Sequence, residues 1–349
     1  MRGELLNIQA VVLRANLYPA LEEVLKDHFA RDLRIAKLER RLSAYSSSFI
    51  LEELDVTLDD GTSLALIFKD LSKVALMEGA GKIKPWFLYN PSREIETYRR
   101  VLSDHNIGSP ICYGAIVQPG WHRFWLFLER LPPVHLWQMG GFEQWKVTAR
   151  WLAGMHTCLK RDAAVRESEH IAHLLDYDME FYRRWMQRAV KFVCEGDKSA
   201  DQKHAKAIRW LESRYEHAIE RLISLPVTVI HGEFFASNVL LDQTGENLRV
   251  CPVDWEMAAL APGLIDLAAL TSGNWTSAQK DEMAIEYYDA LPSHMTTGLD
   301  QRTFLIDLEY CRLAQAIQWL GWSPAWEPPP EHAQDWLKEA IRAAESVSL

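Results

Sequence analysis

The stretch VIHGEFFASNVLLDQTGENLRVCPVDWE, from Val229 to Glu256, decides how this chain is read. Leu225 to Ile230 is a short apolar strand, HGEFFASN is a loop, and VLLD and LRVCPVDW form a hairpin whose turn carries Gly245. Glu233 and Asn238 therefore share one loop, and the hairpin folds Asp254 back beside them. Phosphoryl transfer uses such a set: a carboxylate aligns the acceptor hydroxyl, while an amide and a second carboxylate hold a metal ion. Mg2+ prefers oxygen ligands and retains waters, so Asn238, Asp254 and nucleotide phosphates would suffice to bind it. No histidine pair at the HExxH spacing competes with this reading.

Upstream, the first third alternates like a small sheet. After a helix expected over Leu17 to Ala30, LRIAKLERRL, SFILEELDVTL and SLALIFKDL read as strands, with Asp59-Asp60-Gly61 as the turn between the last two. Lys69 near the end of the third strand is either an edge-strand gatekeeper or a cation presented from the sheet. Asn90-Pro91 then opens a helix whose Ile95, Tyr98 and Leu102 share a face. Glu94 in its first turn either answers the helix dipole or pairs with Lys69 over nucleotide phosphates, with Glu96 as the competing partner. The intervening Gly79-Ala80-Gly81-Lys82 fails as a P-loop, because Leu76 and Ile83 stand where Gly and Ser/Thr are required. Strands CYGAIVQ and RFWLFLERL end at Pro132-Pro133, which divides the chain into 1–132 and 133–349. The connector from Glu129 to Val134 is where a nucleotide base would be read.

Beyond it the pattern is helical, over FEQWKVTARWLAGMHTCLK, Met179 to Val193, Lys203 to Leu222, Ser277 to Ala290, Arg302 to Leu320 and His332 to Ser346. Trp145, Ala149, Leu152, Met155 and Leu159 read as core, and His156 beside them as a structural histidine. Eleven of the fourteen tryptophans follow residue 132, and Trp319, Trp322 and Trp326 cluster at the end of a helix, either as core or as faces for an acceptor. Residues 1–132 carry 17 Lys+Arg and 17 Asp+Glu, so the whole net charge of −10 falls on the remainder. That opposes a nucleic-acid partner, which needs basic surface, and reads either as an acidic face that keeps the protein soluble or as one that suits a cationic acceptor. Glu4, Asn7 and Gln9 interrupt any signal-like run, and no apolar stretch of membrane-spanning length occurs. Five cysteines, widely spaced and odd in number, fit neither a disulfide framework nor a zinc site. A cytoplasmic protein with reduced thiols and no membrane partner is expected.

HGEFFASN followed by VDWE resembles the catalytic loop and metal-binding segment of the aminoglycoside phosphotransferase and choline-kinase-like family. Lys69, the Arg93-Glu94 helix with Tyr98, WLAGMH and PGLIDLAAL follow in that family's order, over roughly residues 35 to 325. The resemblance implies an α+β, two-lobed, protein-kinase-like fold, with an antiparallel sheet in the small lobe and a mainly helical large one. It implies ATP and Mg2+ as cofactors and a small-molecule hydroxyl as acceptor: an amino-sugar, a sugar or an amino alcohol. It also implies a role for each matched residue. Glu233 would orient or deprotonate the hydroxyl, Asn238 and Asp254 would hold Mg2+, Lys69 would contact the α/β-phosphates and Glu94 would position it. His231 would brace the loop, Asp266 would cap a helix or anchor the loop, and Glu256 would sit beside the metal ligands or in solvent. Two positions depart from the family: Glu233 stands where Asp is usual, and the phosphate-covering loop reads SAYSSSF, so Ser46, Ser47 and Ser48 replace glycines. A chain of this fold that binds nucleotide without transferring phosphate, acting as a sensor, is the alternative.

Overall fold

The computed structural model describes residues 16–45, 48–139, 141–160, 171–195, 202–245, 247–322 and 334–349. They form two compact units. One holds the residues up to Lys82 together with Tyr89–Pro132, and the other holds Ile83–Leu88 together with Pro133–Leu349.

The first unit is an antiparallel sheet of β1 (Ile35–Leu42), β2 (Leu51–Leu58), β3 (Ser63–Asp70), β4 (Cys112–Gln118) and β5 (Arg123–Glu129), in the order β1-β2-β3-β5-β4. Period-two burial follows from the pleat: Leu54, Val56 and Leu58 of β2 face the same way as Leu66 and Phe68 of β3 and Trp125 and Phe127 of β5. The helix Leu17–Phe29 covers that face with Leu17, Leu21, Val24 and Leu25, one stripe at helical spacing. Each such fully buried side chain contributes roughly 1.5–3 kcal/mol by removal from water. The turn after β2 places Gly61 at φ 87°, a left-handed conformation that glycine adopts without steric cost.

Asn90 lies two residues further from its helix than expected. Its side chain accepts the Ser92 N–H at 3.0 Å, and helical geometry starts at Arg93. The helix Arg93–Thr97 then widens into a π turn over Tyr98–Leu102.

The second unit is mainly helical. Its centre is Gln301–Leu320, buried on most sides through Phe304, Leu308, Cys311, Leu313, Ala316 and Ile317. Trp336–Ser346, Leu264–Leu270 and Met179–Glu195 pack against it, while Phe142–Cys158 packs against Ser277–Ala290. Trp145, Ala149, Leu152, Met155 and Leu159 are all buried, as their 3.6-residue period requires.

The strand content here exceeds the sequence-based expectation. Besides the hairpin β8 (Val239–Asp242) and β9 (Arg249–Pro252), the strand β7 (Val227–Ile230) joins a three-stranded sheet with β6 (Leu175–Asp176) and β10 (Ala259–Pro262). The sequence of β10, ALAP, carries no strand signal because alanine has weak β preference. Its pairing of Ala259 with Ile230 and of Pro262 with Val227 is imposed by the surrounding packing. No helix among the described residues is long and apolar enough to cross a membrane.

Candidate active site

In the first unit β3 lies between β2 and β5, so Lys69, opposite Leu51 and Leu126, is on an interior strand and is no edge gatekeeper. Its Nζ donates to Glu94 Oε2 at 2.6 Å, with side-chain exposures of only 8% and 2%. The Phe49 ring lies 6.0 Å from the same ammonium. Glu96 takes the other course, accepting Arg100 Nε at 2.6 Å on the solvent side of the helix. A buried charge whose partner is removed costs about 3–5 kcal/mol. Glu94→Ala is therefore expected to lower unfolding stability by roughly 3 kcal/mol, read as the shift in a urea transition. A shift near zero would show that water already solvates Lys69.

Of the serine loop, Ser46 and Ser47 lie outside the described residues. Ser48 accepts the Met77 N–H on its carbonyl at 3.0 Å, and Phe49 bridges to Leu76, which ties this end of the loop to the following segment. Glu129 ends β5. Its N–H donates to the Ile111 carbonyl at 2.8 Å and its carboxylate accepts the Ile111 N–H at 3.0 Å, so its N–H is engaged within the sheet.

In the second unit the HGEFFASN loop hangs on one buried carboxylate. Asp266, fully buried, accepts His231 N–H at 2.7 Å, Gly232 N–H at 2.9 Å and His156 Nε2 at 3.2 Å. It is thus a loop anchor and makes no cap for its own helix. His156, 1% exposed, completes its bonding with Tyr287 Oη at 2.9 Å from Nδ1. His231 braces the loop from inside. Its Nε2 lies 2.9 Å from the Val253 carbonyl and its Nδ1 accepts Glu233 N–H at 3.3 Å, partners that select the neutral tautomer protonated at Nε2. Gly232 sits at φ 85°, and a Cβ there would lie 2.2 Å from the Met257 carbonyl oxygen, so no other residue fits.

Downstream of this anchor, Asn238 links the loop to the hairpin. Its Nδ2 donates to the Glu233 carbonyl at 3.0 Å, and its own carbonyl accepts Val253 N–H at 2.9 Å. Asp254 follows immediately, in the left-handed region at φ 67° and ψ 61°, which Asp tolerates better than most residues and which clusters at functional sites. Glu233, Asn238 and Asp254 are all half-buried. The metal expectation fits this arrangement. The amide N–H of Asn238 braces the loop, its Oδ1 is the atom suited to a cation, and Asp254 adds carboxylate oxygens, a hard donor pair of the kind Mg2+ takes. Among the described residues no cluster of three or more His, Cys, Asp and Glu offers an alternative metal site.

Two features escaped sequence reading. Glu256, two residues from Asp254, is not in solvent: Lys84 Nζ donates to its carboxylate, and the two side chains are 6% and 11% exposed. The pair lies 172 residues apart, so no local pattern announces it. The second is a small hollow of about 20 Å3, room for about one water, bounded by Gly232, Glu233, Phe235, Tyr177, Phe181, Tyr182, Trp185, Ile265, Ala269, Ala314, Gln315, Gln318 and Trp319. Trp319 thus lines a space beside Glu233, whereas Trp322 stacks on Trp185 at 5.8 Å and 7° as core. Trp326 lies outside the described residues.

The model of the phosphotransferase enzyme family matches residues 92–305, which span the Glu94 helix, the loop and the hairpin. No curated protein sequence matches the chain. Among solved structures it is similar to a Plasmodium vivax ethanolamine kinase, at 12% identity over 89% of this chain and 82% of that one, with a TM-score of 0.54. It is also similar to a microcompartment-associated aminopropanol kinase, at 13% identity over 89% and 90% with a TM-score of 0.55. The GDP complex of aminoglycoside 2′-phosphotransferase-IIIa gives 11% identity over 95% and 98%, with a TM-score of 0.53. At such identities the likeness establishes the fold: α+β, with an antiparallel-sheet N-terminal part and a helical C-terminal part.

Proposed function

The chain belongs to the phosphotransferase enzyme family, and from that premise we propose that it moves the γ-phosphoryl group of ATP, with Mg2+, to a hydroxyl of a small molecule. The observation that carries this reading is the double link through Asn238, which binds the Glu233 carbonyl on one side and the residue before Asp254 on the other. A carboxylate, an amide and a second carboxylate are thereby held on one braced scaffold in a half-buried, reachable position.

In this reading Asn238 and Asp254 hold Mg2+, which when bound neutralises phosphate charge and screens the departing ADP. Lys69, fixed by Glu94, contacts the α/β-phosphates. Glu233 orients the acceptor hydroxyl and takes its proton as the acceptor oxygen bonds to the γ-phosphorus and the bond to the β,γ-bridging oxygen breaks. Little covalent work falls to the protein, so positioning and electrostatics supply most of the rate. Ser46, Ser47 and Ser48 would cover the phosphates, and the Glu129 segment would meet the base. Lys84 acts at one remove, holding Glu256 and with it the turn that starts at Asp254. Lys84→Met is expected to raise the Mg2+ concentration for half-maximal rate about tenfold, as loss of an outer partner of a metal ligand does. An unchanged Mg2+ titration would reduce the Lys84–Glu256 pair to a packing feature.

The test is ADP release from MgATP in the presence of hydroxylated amines, sugars and amino alcohols, with the phosphate ester identified by 31P NMR. A sensor that binds nucleotide without transfer would show MgATP binding and no ester with any of them. Retention of Lys69, Glu94, Asn238 and Asp254 in braced positions favours the transferase.

A further inference from the structure

The loop that carries Glu233 and Asn238 is fastened at both ends, and the second fastening comes from His135. At the start of the loop Asp266 takes the N–H groups of His231 and Gly232. At its far end Ala236–Asn238 form a single 3-10 turn, too short to hold itself. His135 reaches this turn from 102 positions away in the chain, with its Nδ1 2.6 Å from the Ser237 carbonyl oxygen. A carbonyl only accepts, so Nδ1 of His135 carries a proton, whereas Nδ1 of His231 accepts one.

The bond falls on the peptide group that sets the direction of Asn238. The Ser237 carbonyl and the Asn238 N–H belong to one planar unit. His135 holds its oxygen, and the Phe235 carbonyl accepts its N–H at 2.8 Å. With both polar edges taken, the plane does not turn without breaking a bond, and its turning is what would swing the Asn238 side chain. Asn238 Nδ2 is tied to the Glu233 carbonyl at 3.0 Å, so a fixed backbone gives Oδ1 a fixed direction. His135 is itself held through the backbone. Its N–H donates to Gln138 Oε1 at 3.0 Å, the Val134 carbonyl accepts Leu241 N–H at 2.8 Å, and His135 bridges to Leu240. Leu136, fully buried, seats the short helix Leu136–Met139, which packs against the 236–238 turn and β8.

We propose that His135 is a positioning residue for phosphoryl transfer, acting through the Ser237 carbonyl to aim the Asn238 amide oxygen at Mg2+. This rests on the phosphotransferase reading of Asn238 and Asp254, and adds to it a residue from outside the HGEFFASN and VDWE segments. An outer partner governs where the oxygen of a metal ligand points, and losing one typically lowers metal affinity 10- to 100-fold. Lys69 and its phosphate contact belong to another part of the chain. Binding of nucleotide without metal therefore does not run through this bond.

The measurement is calorimetric binding of ADP to the full chain, with and without Mg2+, in the wild type, His135→Phe and His135→Asn. Phe keeps a ring and loses the donor, whereas the Asn amide stands where Nδ1 stands and restores it. His135→Phe is expected to bind metal-free ADP as the wild type does and to lose about tenfold of the affinity that Mg2+ adds, while His135→Asn keeps that gain within about threefold. Amide exchange of the nucleotide-free chain, followed over residues 234–242, is expected to quicken about tenfold in His135→Phe and to stay near the wild type in His135→Asn. Where His135→Phe fails to melt cooperatively, His135→Ala takes its place. A full Mg2+ gain in His135→Phe, an equal loss in His135→Asn, or unchanged exchange in His135→Phe overturns the positioning role, even where the wild type transfers phosphate. A wild type that gains nothing from Mg2+ overturns instead the metal reading of Asn238 and Asp254, and the exchange rates still judge the bond from His135 to Ser237.

Discussion

Asp254→Asn is expected to lower the rate of phosphoryl transfer roughly a thousand-fold or more, because the charge on which the metal depends is lost at a step stabilised by several kcal/mol. The asparagine variant is preferable to alanine for a backbone reason. Residue 254 sits at φ 67°, where Asp and Asn are tolerated and alanine is strained by about 1–2 kcal/mol. Asp254→Ala is expected to abolish turnover too, but with a lower melting temperature that Asp254→Asn does not share. The measurement is ADP release over a Mg2+ titration, alongside thermal unfolding of each variant. Wild-type turnover in Asp254→Asn would sink the assignment of Asp254 to the metal.

Glu233→Gln is expected to reduce kcat about a hundred-fold or more, the usual contribution of a positioned general base, while the KM for ATP moves less than about threefold. The change is nearly isosteric, and the loop bonds that hold residue 233 come from its backbone: its N–H donates to His231 Nδ1, and its carbonyl accepts from Asn238 Nδ2. The loop should therefore stay in place, and loss of rate reports on the carboxylate itself. Glu233→Asp shortens the side chain by one methylene, and its ratio to the glutamine variant separates charge from reach. If Glu233→Gln kept the wild-type kcat, transfer would not depend on this carboxylate.

Much of the fold was legible because the relevant signals are local. Alternation in LEELDVTL and SLALIFKD marks strands that pair in the expected hairpin, and Trp145, Ala149, Leu152, Met155 and Leu159 mark a helix face that is buried. The loop, the hairpin and Lys69 were equally legible, since each lies within one element or across one turn. What stayed illegible depends on pairings between distant elements. Lys69 is on an interior strand because β5, some 55 residues on, takes the edge beside it. For two carboxylates only the fold chose the partner. Asp266 opens a helix in sequence yet anchors the HGEFFASN loop, and Glu256 meets a lysine whose local surroundings read as a failed P-loop.

The sequence by itself determined most of the elements, the family pattern and the chemical inventory, from Glu233, Asn238 and Asp254 to Lys69 and Glu94. These are consequences of backbone period and residue type, which act over a few positions. Tertiary structure alone decided which partner each buried charge takes and what lines the space beside Glu233. Phe181, Tyr182 and Trp185 share one face of the helix Met179–Glu195, but Phe235 and Trp319 join them from distant elements with no common period or motif. Only close packing makes them one surface, because a buried side chain meets whichever elements fill the volume around it.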